Sequence, residues 1–421
     1  MRRRWRMGLA VVSLVAAGAL LALELGRGQS VAADTKPAVT KGTPRLVDLG
    51  AKACIPCKLM APVLEGLKKD FAGRLEVEFI DVWMKENVPL AEKYRIRVIP
   101  TQILLDASGK ELWRHEGYIS RYGLLDKWRE LGYPFAEQAL AATFRRMEPA
   151  QGDVPARGQG CFLCDGAIDA KAAVVVKADD TEVRLCGPHH YFVMYSCYTG
   201  KKENLEADVT VTDWSTGKPV RARDAVYVYG VESETGRPTV KAFAGREPAD
   251  KEQKASGGST VGWDALKQKE LAVRCGFCDR AVYPSDAAAV RVGQVRTWGC
   301  CSHCAMGVVA RLGKDIQVRQ RDRLTGQEIV VQTLSGYVAA VEPDTAVAWF
   351  GVKKKADGKF ASAGCFHQGF FASERNLKEW LKRNPTAVGS MISIDQVLAD
   401  KMKLTPKQIA GACKLGSCSG G

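Results

Sequence analysis

The sequence has too few cysteines for a small disulfide-stapled scaffold, in which roughly 8–10% of residues are cysteine. Fourteen of the 421 residues are cysteine, about 3%, and a chain of this length buries hydrophobic cores without such staples. Its 46% hydrophobic and 26% charged residues also exclude a mainly disordered, fibrous or polytopic membrane protein. No basic stripe interleaved with aromatic residues accompanies the net charge of +14, so we expect no nucleic-acid partner. The cysteines are therefore better explained by chemistry than by scaffolding.

The N-terminus has the pattern of an export signal. Four arginines lie in residues 1–6, the 17 residues of Met7–Leu23 are uncharged, and Val31-Ala32-Ala33 fits a signal-peptidase site. We predict a cleaved signal at 1–33, with an uncleaved membrane anchor as the alternative because 17 residues are close to the shortest spanning helix. In either case the remaining chain is expected outside the cytoplasm, periplasmic or in the cell envelope, where thiols oxidise unless they are maintained.

Residues 44–135, after a linker at 34–43, have the pattern of a redox module. Cys54 and Cys57 form a CxxC motif after a buried-strand pattern, at the start of an amphipathic stretch, Leu59–Phe71, that Pro62 is expected to break. A cysteine at a helix N-terminus lies near free N–H groups and the positive end of the helix dipole, which lowers its pKa. We therefore predict that Cys54 attacks and Cys57 resolves. A structural disulfide or half of a zinc site is the alternative.

In order and spacing, Asp48, the CxxC motif, Pro62, the Ile99-Pro100-Thr101 run and Gly117 resemble the thioredoxin family. The resemblance covers residues 44–135 and implies an α/β thioredoxin fold. It also implies that Pro100 is a cis proline facing the active disulfide and that Asp48 is the buried carboxylate that relays a proton to the resolving cysteine. Such a domain is an enzyme, a thiol-disulfide oxidoreductase, which uses no cofactor but needs a transmembrane or soluble thiol reductant.

The rest of the sequence repeats itself. Cys161-Phe-Leu-Cys164-Asp165 returns as Cys275-Gly-Phe-Cys278-Asp279, and the segment Asp213–Gly217 returns as Asp322–Gly326. Two units of this size indicate a duplicated domain rather than an array of short repeats. The predicted segments are a linker at 136–159, a first repeat at 160–268, a second repeat at 269–395 and a tail at 396–421.

Each repeat has the ligand spacing of a metal knuckle. A CxxC motif holds two sulfurs on one tight turn, and further ligands about twenty residues later complete a tetrahedron. Thiolates favour zinc, copper(I) or mercury(II) over hard cations, and they bind metal only while reduced; the alternative is a disulfide at each CxxC. The candidate ligands are Cys161, Cys164, Cys186 and His189, with His190 adjacent, in the first repeat, and Cys275, Cys278, Cys300, Cys301 and Cys304, with His303, in the second.

The knuckle pattern resembles the treble-clef modules of heavy-metal trafficking proteins, and the segments after it resemble two related families. Asp213–Leu266, which includes Gly257-Gly258 and Trp263, is similar to the NosL family, copper-binding accessory proteins of nitrous oxide reductase. Trp298–Val397, which includes Cys365-Phe366-His367, is similar to the C-terminal half of organomercurial lyase, a fold relative of NosL. These resemblances imply two α+β domains after the thioredoxin fold, and a metal ion or metalloprotein client as partner.

Organomercurial lyases hold mercury on two cysteine thiolates while an aspartate manages the proton. In register, Cys365 matches the second catalytic cysteine and Cys301 the first, with Cys300 one residue away, whereas Cys304 stands at the aspartate position. A thiol replaces a carboxylate poorly unless the site shifts its pKa. The resemblance therefore implies a three-thiolate pocket for copper(I) or mercury(II), whether or not it cleaves bonds. Cys301 cannot serve both this pocket and the knuckle unless the two share ligands.

The tail carries a last pair, Cys413 and Cys418, after a short helix that Thr405 and Pro406 are expected to start. We predict either a mobile dithiol that shuttles metal or electrons or a simple tail disulfide. The leading hypothesis is an exported thiol-disulfide oxidoreductase that keeps metal-binding cysteines reduced for a soft metal, in delivery or detoxification. The alternatives are an organomercurial lyase and a disulfide reductase with purely structural cysteine-rich domains. A membrane partner is expected only if residues 1–33 stay as an anchor.

Overall fold

The computed structural model describes residues 42–135, 160–178, 181–354 and 360–414. The predicted export signal at 1–33, the linker at 136–159 and Cys418 of the tail lie outside these ranges. Among the described helices, none combines the length and the apolar character that a bilayer crossing requires. We call residues 42–135 the first domain, 160–271 the middle domain and 272–414 the last domain. The predicted fold class, a thioredoxin fold followed by α+β domains, is confirmed.

The first domain is a four-stranded sheet with helices packed on it. In chain order its elements are β1 (Arg45–Gly50), α1 (Ile55–Asp70), β2 (Glu76–Asp81), a 3-10 helix (Lys85–Asn87), α2 (Val88–Lys93), β3 (Thr101–Leu105), β4 (Glu111–Glu116) and α3 (Arg121–Glu130). The strands lie in the order β2-β1-β3-β4, with β1 parallel to β2 and antiparallel to β3. Every residue of β3 is buried, so the middle of this sheet forms the core.

Helix α1 begins at the CxxC motif. Cys54 is the N-cap residue, and its sulfur accepts a hydrogen bond from Cys57 N at 3.4 Å. Pro56 occupies the first turn, where a missing N–H loses no helical hydrogen bond. The expectation that Pro62 breaks the helix is wrong, because α1 continues through it. One face of the helix is buried. It includes Met60, Leu64 and Leu67, which follow one another at intervals of four and three residues.

The middle domain has two antiparallel sheets. Its elements are β5 (Val174–Ala178), β6 (Thr181–Leu185), α4 (Pro188–Cys197), α5 (Lys202–Ala207), β7 (Val209–Thr212), β8 (Pro219–Arg221), β9 (Val226–Val231), β10 (Pro238–Phe243), α6 (Arg246–Ser256), β11 (Ser259–Val261) and α7 (Trp263–Glu270). The strand orders are β6-β5-β7-β8 and β10-β9-β11. The helix after β6 carries the second part of the predicted knuckle.

The last domain follows a similar plan. Its elements are β12 (Ala288–Val292), β13 (Val295–Gly299), α8 (Ser302–Leu312), β14 (Gln317–Arg321), β15 (Glu328–Leu334), β16 (Tyr337–Glu342), β17 (Val347–Lys354), β18 (Phe360–Ser362), a 3-10 helix (Cys365–His367), β19 (Gln368–Phe371), α9 (Glu374–Arg383), β20 (Gly389–Ile392), α10 (Ile394–Met402) and α11 (Pro406–Ala410). One sheet has the order β13-β12-β14-β15-β16. In the other, β17 pairs with β18, β19 and β20.

An aspartate joins the two sheets in each of these domains. Asp213 accepts hydrogen bonds from the backbone N–H groups of its own turn and, through Oδ2, from Ala244 N at 2.5 Å. Asp322 does the same, with Ala372 N as the distant donor at 2.6 Å. A carboxylate that accepts several backbone N–H groups fixes the loops that donate them. These bonds place Ala244 and Ala372 at equivalent positions, which allows the two domains to be compared residue by residue.

Two predicted boundaries fall inside helices. The boundary at 268/269 cuts α7, and the boundary at 395/396 cuts α10. Val397 and Leu398 belong to the buried core of the last domain, and Cys413 packs against that core. The apolar stripe of α10 must be covered, so it packs on α8 rather than beginning a separate tail.

The first domain packs against the hairpin of β15 and β16. Leu334 and Tyr337 contact the hydrophobic core of the first domain. The Tyr118 hydroxyl donates a hydrogen bond to Val338 O at 3.0 Å, across a separation of 220 residues. The first and last domains therefore share buried apolar surface.

Strand β1, which precedes the CxxC motif, buries a carboxyl group. Asp48 is fully buried, its Oδ1 accepts a hydrogen bond from Gln102 Nε2 at 2.7 Å, and its Oδ2 has no hydrogen-bond partner. Burial raises the pKa of Asp48 to about 6, although the hydrogen bond from Gln102 lowers it. The folded protein therefore holds this proton at a pH where an unfolded chain has released it.

Replacement of Asp48 by asparagine should stabilise the first domain at neutral pH. Because the pKa of Asp48 is higher in the folded state, ionisation removes stability as the pH rises from about 4 to 6. A shift of two units corresponds to about 3 kcal/mol above pH 6. Urea unfolding of the first domain between pH 4 and 8 should show Asp48→Asn losing this slope. Asp106→Asn is the control. A hydrogen bond from Ser108 lowers the pKa of Asp106, so this substitution should change the pH dependence of stability in the opposite direction. An unchanged slope in Asp48→Asn contradicts the prediction.

Candidate redox and metal sites

The first domain presents the predicted redox pair. Cys54 and Cys57 form a disulfide at the start of α1. Cys57 is buried and Cys54 is partly exposed, an arrangement that gives a partner access to Cys54 first. The Ile99–Pro100 peptide is cis, and Pro100 O accepts a hydrogen bond from Gly117 N at 2.8 Å. Position, exposure and chemistry therefore suit the exchange of disulfides through Cys54.

A four-ligand cluster forms at the start of the middle domain. The sulfurs of Cys161, Cys164 and Cys186 and a ring nitrogen of His190 all lie within 4.8 Å of one another. His190 Nδ1 lies 3.2 Å from Cys161 Sγ and 2.8 Å from Cys186 Sγ. Burial lowers the pKa of His190, but hydrogen bonds with Cys161 and Cys164 outweigh it and raise this pKa to about 9. Three sulfurs and one imidazole are a donor set for zinc or another soft ion.

The histidine in this cluster is not the predicted one. His189 points elsewhere: its Nδ1 lies 2.7 Å from Glu270 Oε2, and its ring stacks on Tyr283 at 3.5 Å. Successive side chains on a helix point about 100° apart, so only one of two adjacent histidines in α4 faces the sulfurs. His303 is likewise turned aside, with Nδ1 3.1 Å from Ser302 Oγ.

The last domain repeats the four-ligand cluster with a fourth cysteine. Its ligands are Cys275, Cys278, Cys300 and Cys304, again with sulfurs within 4.8 Å of one another. The Sγ atoms of Cys278 and Cys300 lie 3.6 Å apart, and those of Cys278 and Cys304 4.0 Å apart. Strand pairing puts Cys186 and Cys300 at the same place, because each directly follows the strand residue that pairs with the start of β5 or β12. The knuckle therefore uses Cys300 rather than Cys301.

A second group overlaps the first. Cys300, Cys301, Cys304 and Cys365 have sulfurs within 4.8 Å of one another, and Cys304 Sγ lies 3.6 Å from Cys365 Sγ. Cys301 is the N-cap residue of α8, where its sulfur accepts a hydrogen bond from Cys304 N at 3.4 Å. The structure thus brings together the three cysteines that the lyase resemblance implies. The two groups share Cys300 and Cys304, whereas Cys301, the residue for which sharing was expected, belongs only to the second group.

One tail cysteine reaches the same cluster. Cys413 Sγ lies 3.3 Å from Cys365 Sγ. Cys413 is half-buried and packs against the core of the last domain, whereas its predicted dithiol partner Cys418 lies outside the described residues. The capping box of α11, in which Thr405 and Gln408 bond to each other's backbone N–H, leads the chain back to the cluster.

Two cations face these thiols. Arg280 is buried with its guanidinium 4.2 Å from the centre of the Phe366 ring, and half-buried Lys401 lies 4.9 Å from the Phe277 ring. Burial lowers the pKa of Arg280, but the negative charge of Cys365 and Cys300 outweighs it and raises this pKa. Burial also lowers the pKa of Lys401, but the negative charge of Cys304 outweighs it, so this pKa rises as well. Among the described residues neither cation forms an ion pair with a carboxylate.

The thiols titrate as one network. Hydrogen bonds from neighbouring sulfurs, beginning with Cys278, hold the pKa of Cys275 and of Cys365 below the ordinary value. Hydrogen bonds to the thiolate of Cys275 raise the pKa of Cys278 and of Cys304. Some thiols therefore stay protonated while their neighbours ionise, which prepares several sulfurs to bind a soft cation.

The middle domain lacks the second group. Counting back seven residues from Ala244 and from Ala372 places Arg237 where the last domain has Cys365, and Gly187 follows Cys186 as Cys301 follows Cys300. The Gly257-Gly258 pair of the NosL-like segment lies at the end of α6, away from this position in the chain. A cavity of about 350 Å³ occupies this position, and its walls include Cys186, Gly187, His190, Trp214, Arg237 and Tyr283.

In each knuckle the predicted ligand is the wrong one of two adjacent residues, and the distant residues that reach the cluster were not predicted. The phase of a helix that starts at Pro188 would have selected His190 over His189, and the strand pairing would have selected Cys300 over Cys301. No spacing in the sequence indicates that Cys413, Arg280 or Lys401 reaches the cluster.

Comparisons with known proteins match two parts of the chain. The thioredoxin family model matches residues 30–129 and the MerB model, described as alkylmercury lyase, matches residues 286–403. Thioredoxin C-2 of Corynebacterium nephridii is 45% identical over 62 residues, 15% of this chain and 56% of its own length. Thioredoxin of Staphylococcus aureus is 45% identical over 60 residues, 14% of this chain and 56% of its own. The chain thus spans just over half the length of these relatives.

One solved structure that is similar to part of the chain is the mercury-bound form of MerB2, with 21% sequence identity and a TM-score of 0.26. The match covers 33% of this chain and 71% of the MerB2 chain. Another is chloroplastic thioredoxin z, with 30% sequence identity and a TM-score of 0.20. The match covers 22% of this chain and 80% of the thioredoxin z chain. By the two family models, the chain contains a thioredoxin domain at residues 30–129 and a MerB domain, of the alkylmercury lyase family, at residues 286–403.

Proposed function

We propose that this protein is an exported thiol-disulfide oxidoreductase whose redox pair keeps its own metal-binding cysteines reduced for a soft metal ion, copper(I) or mercury(II). One observation carries the proposal: a disulfide-forming CxxC pair and two cysteine clusters of metal-binding geometry occur in the same chain. Thiolates bind soft ions only while reduced. A compartment that oxidises thiols would therefore inactivate the clusters without a dedicated reductant.

The state of the cysteines supports metal binding over a purely structural role. Among the described residues, Cys54 and Cys57 form the one disulfide, and the other eleven cysteines are free. In the last domain, the sulfurs of Cys278, Cys300, Cys304, Cys365 and Cys413 approach one another to 3.3–4.0 Å, too far for an S–S bond. Sulfurs gathered at this distance without bonding form a donor set for an ion.

The proposal assigns further parts of the chain. Residues 1–33 direct export to the periplasm or cell envelope, a transmembrane or soluble thiol reductant supplies electrons to the redox pair, and a metal ion or metalloprotein is the client. Cys413 and Cys418 pass the ion between the last domain and that client. The NosL resemblance of residues 160–268 and the duplication of the domain stay predictions. The matched strand orders and the equivalent aspartates support them.

Cleavage of organomercurials is a second candidate function of the last domain. Cys301 and Cys365 lie in one four-ligand group, with Cys304 at the position of the family's aspartate. An alkylmercury cation that meets two thiols yields the hydrocarbon and a mercury(II) ion bound by two thiolates. The carbon–mercury bond breaks, two sulfur–mercury bonds form, one thiol proton goes to carbon and the other to solvent. Cys304 Sγ lies 3.6 Å from Cys365 Sγ, where it can relay the proton that goes to carbon.

Recovery of oxidised cluster thiols should depend on the redox pair. We expect limiting dithiothreitol to restore the thiols of the oxidised full chain faster in the wild type than in Cys54→Ser, because Cys54 is the accessible sulfur. Timed alkylation followed by mass spectrometry measures each thiol. The control is Cys197→Ser, a buried cysteine outside both clusters, which should recover at the wild-type rate. Equal recovery in the wild type and Cys54→Ser contradicts the coupling.

Loss of one cluster thiol should weaken the binding of a soft ion. Removal of an outer partner of a ligand typically costs roughly 10–100-fold in affinity, so we expect at least that loss of copper(I) affinity from Cys365→Ser. Competition with a chromogenic copper(I) chelator measures it on reduced protein, with Cys197→Ser as the matched control. If the reduced wild type binds neither copper(I) nor mercury(II), the proposed function is wrong.

Release of hydrocarbon distinguishes the lyase from a binding protein. With phenylmercury as substrate we expect benzene from the reduced wild type and none from Cys301→Ser or Cys365→Ser. Cys304→Asp should raise the rate, because a positioned carboxyl is a better proton donor and such groups contribute roughly 10²–10⁴-fold. Gas chromatography measures benzene. If no variant and no wild-type sample releases benzene above the protein-free background, the lyase function is wrong. The metal-binding proposal is not affected by that result.

A further inference from the structure

The two four-ligand groups of the last domain have two cysteines in common. Cys300 and Cys304 belong to both groups, whereas Cys275 and Cys278 belong to one and Cys301 and Cys365 to the other. We propose that the last domain holds two soft divalent ions in one six-thiolate centre, in which Cys300 and Cys304 bridge the ions. This inference rests on the proposed function, because it specifies how the same cysteines bind metal.

The distances suit two tetrahedral sites that share an edge. An ion with four sulfur bonds of about 2.3 Å separates its sulfurs by about 3.8 Å. The observed Sγ separations are 3.6 Å for Cys278–Cys300, 4.0 Å for Cys278–Cys304 and 3.6 Å for Cys304–Cys365. Cys304 therefore lies at a tetrahedral distance from a ligand at each end of the cluster. Cys300 lies at such a distance from Cys278 and within 4.8 Å of Cys301 and Cys365.

A single ion would leave two of the six sulfurs without a ligand role. Soft ions in thiolate sites take four ligands at most in tetrahedral geometry, and among the described residues no four-ligand group contains the Cys275 pair together with Cys365. One ion in either group would leave two buried sulfurs beside it with no ligand role. Two ions that share Cys300 and Cys304 use all six sulfurs.

The charges around the centre favour divalent ions. Six thiolates carry six negative charges, and two divalent ions neutralise four of them. Buried Arg280 lies against the Phe366 ring and Lys401 lies against the Phe277 ring, so each places a positive charge beside the cysteines. Neither forms an ion pair with a carboxylate among the described residues. Arg323 also faces Cys301, but its side chain is exposed to solvent, which screens it. Two monovalent ions would neutralise only two of the six charges, so Arg280 and Lys401 would still leave two negative charges buried without a counter-charge.

The two ends differ in access. Cys275 and Cys278 are buried under the knuckle turn, whereas Cys365 contacts half-buried Cys413 at 3.3 Å. The ion held by Cys301 and Cys365 can therefore exchange through a neighbouring thiol, and the ion at the knuckle end is retained. The middle domain, with Gly187 and Arg237 in place of the second pair, holds one ion.

Cadmium(II) is the probe that tests the shared thiolates. We use the full reduced chain with Cys54→Ser, Cys57→Ser and Cys418→Ser, so that neither the redox pair nor the tail pair takes an ion. Native mass spectrometry counts the ions, and ¹¹³Cd NMR reports scalar coupling between two cadmium nuclei through a shared sulfur. We expect three ions and three resonances, two of them coupled.

Variants assign the resonances and separate the outcomes. Cys365→Ser should abolish the coupling and remove one ion, whereas Cys164→Ser should affect only the uncoupled resonance of the middle domain. Two ions with no coupled pair overturn the two-ion centre but leave the proposed function standing, and so do three uncoupled ions. Absence of cadmium from the last domain overturns the two-ion centre, whereas the proposed function fails only if the same protein also binds neither copper(I) nor mercury(II). The test does not depend on variant folding, because the intact cluster gives the coupled pair.

Discussion

Close packing of thiols in a protein interior is the constraint on which the last domain depends. Ionised sulfurs within 4 Å of one another repel strongly in a medium of low dielectric, and neutral thiols bind metal poorly. The fold meets this constraint from three sides. The first turn of α8 points its N–H groups at Cys301, Arg280 lies against Phe366, and Lys401 reaches in from α10. Without such charges the cluster would have to stay protonated.

The same constraint explains why α10 and the segment after it belong to the domain. Their apolar residues cover the core, and they deliver Lys401 and Cys413 to the sulfurs. The cluster therefore joins segments that are 138 residues apart, from Cys275 to Cys413. Folding and metal binding are coupled in such a site, because the ligands come together only when each segment is in place.

Local motifs were predictable from the sequence, and contacts between distant segments were not. The thioredoxin fold, the CxxC pair and the cis Pro100 depend on motifs with strong local signatures. Neighbouring residues such as His189 and His190 both fit the ligand spacing, and only the phase of the helix that carries them selects the one that faces the sulfurs. Arg280 has no linear signature as a partner of thiols, since its role depends on how the chain returns to the cluster.

The middle and last domains have similar strand orders but two kinds of site. Both hold a knuckle of CxxC and a helix start, and both tie their sheets with an aspartate. They differ where the second pair would be: Arg237 in the middle domain forms an ion pair with Asp286 at 2.9 Å, whereas Cys365 in the last domain contacts sulfur. A guanidinium held by a carboxylate cannot bind a cation, so the middle domain is limited to its knuckle. Soft-metal chemistry beyond a single tetrahedral site therefore requires the last domain, which is the part that the alkylmercury lyase family model matches.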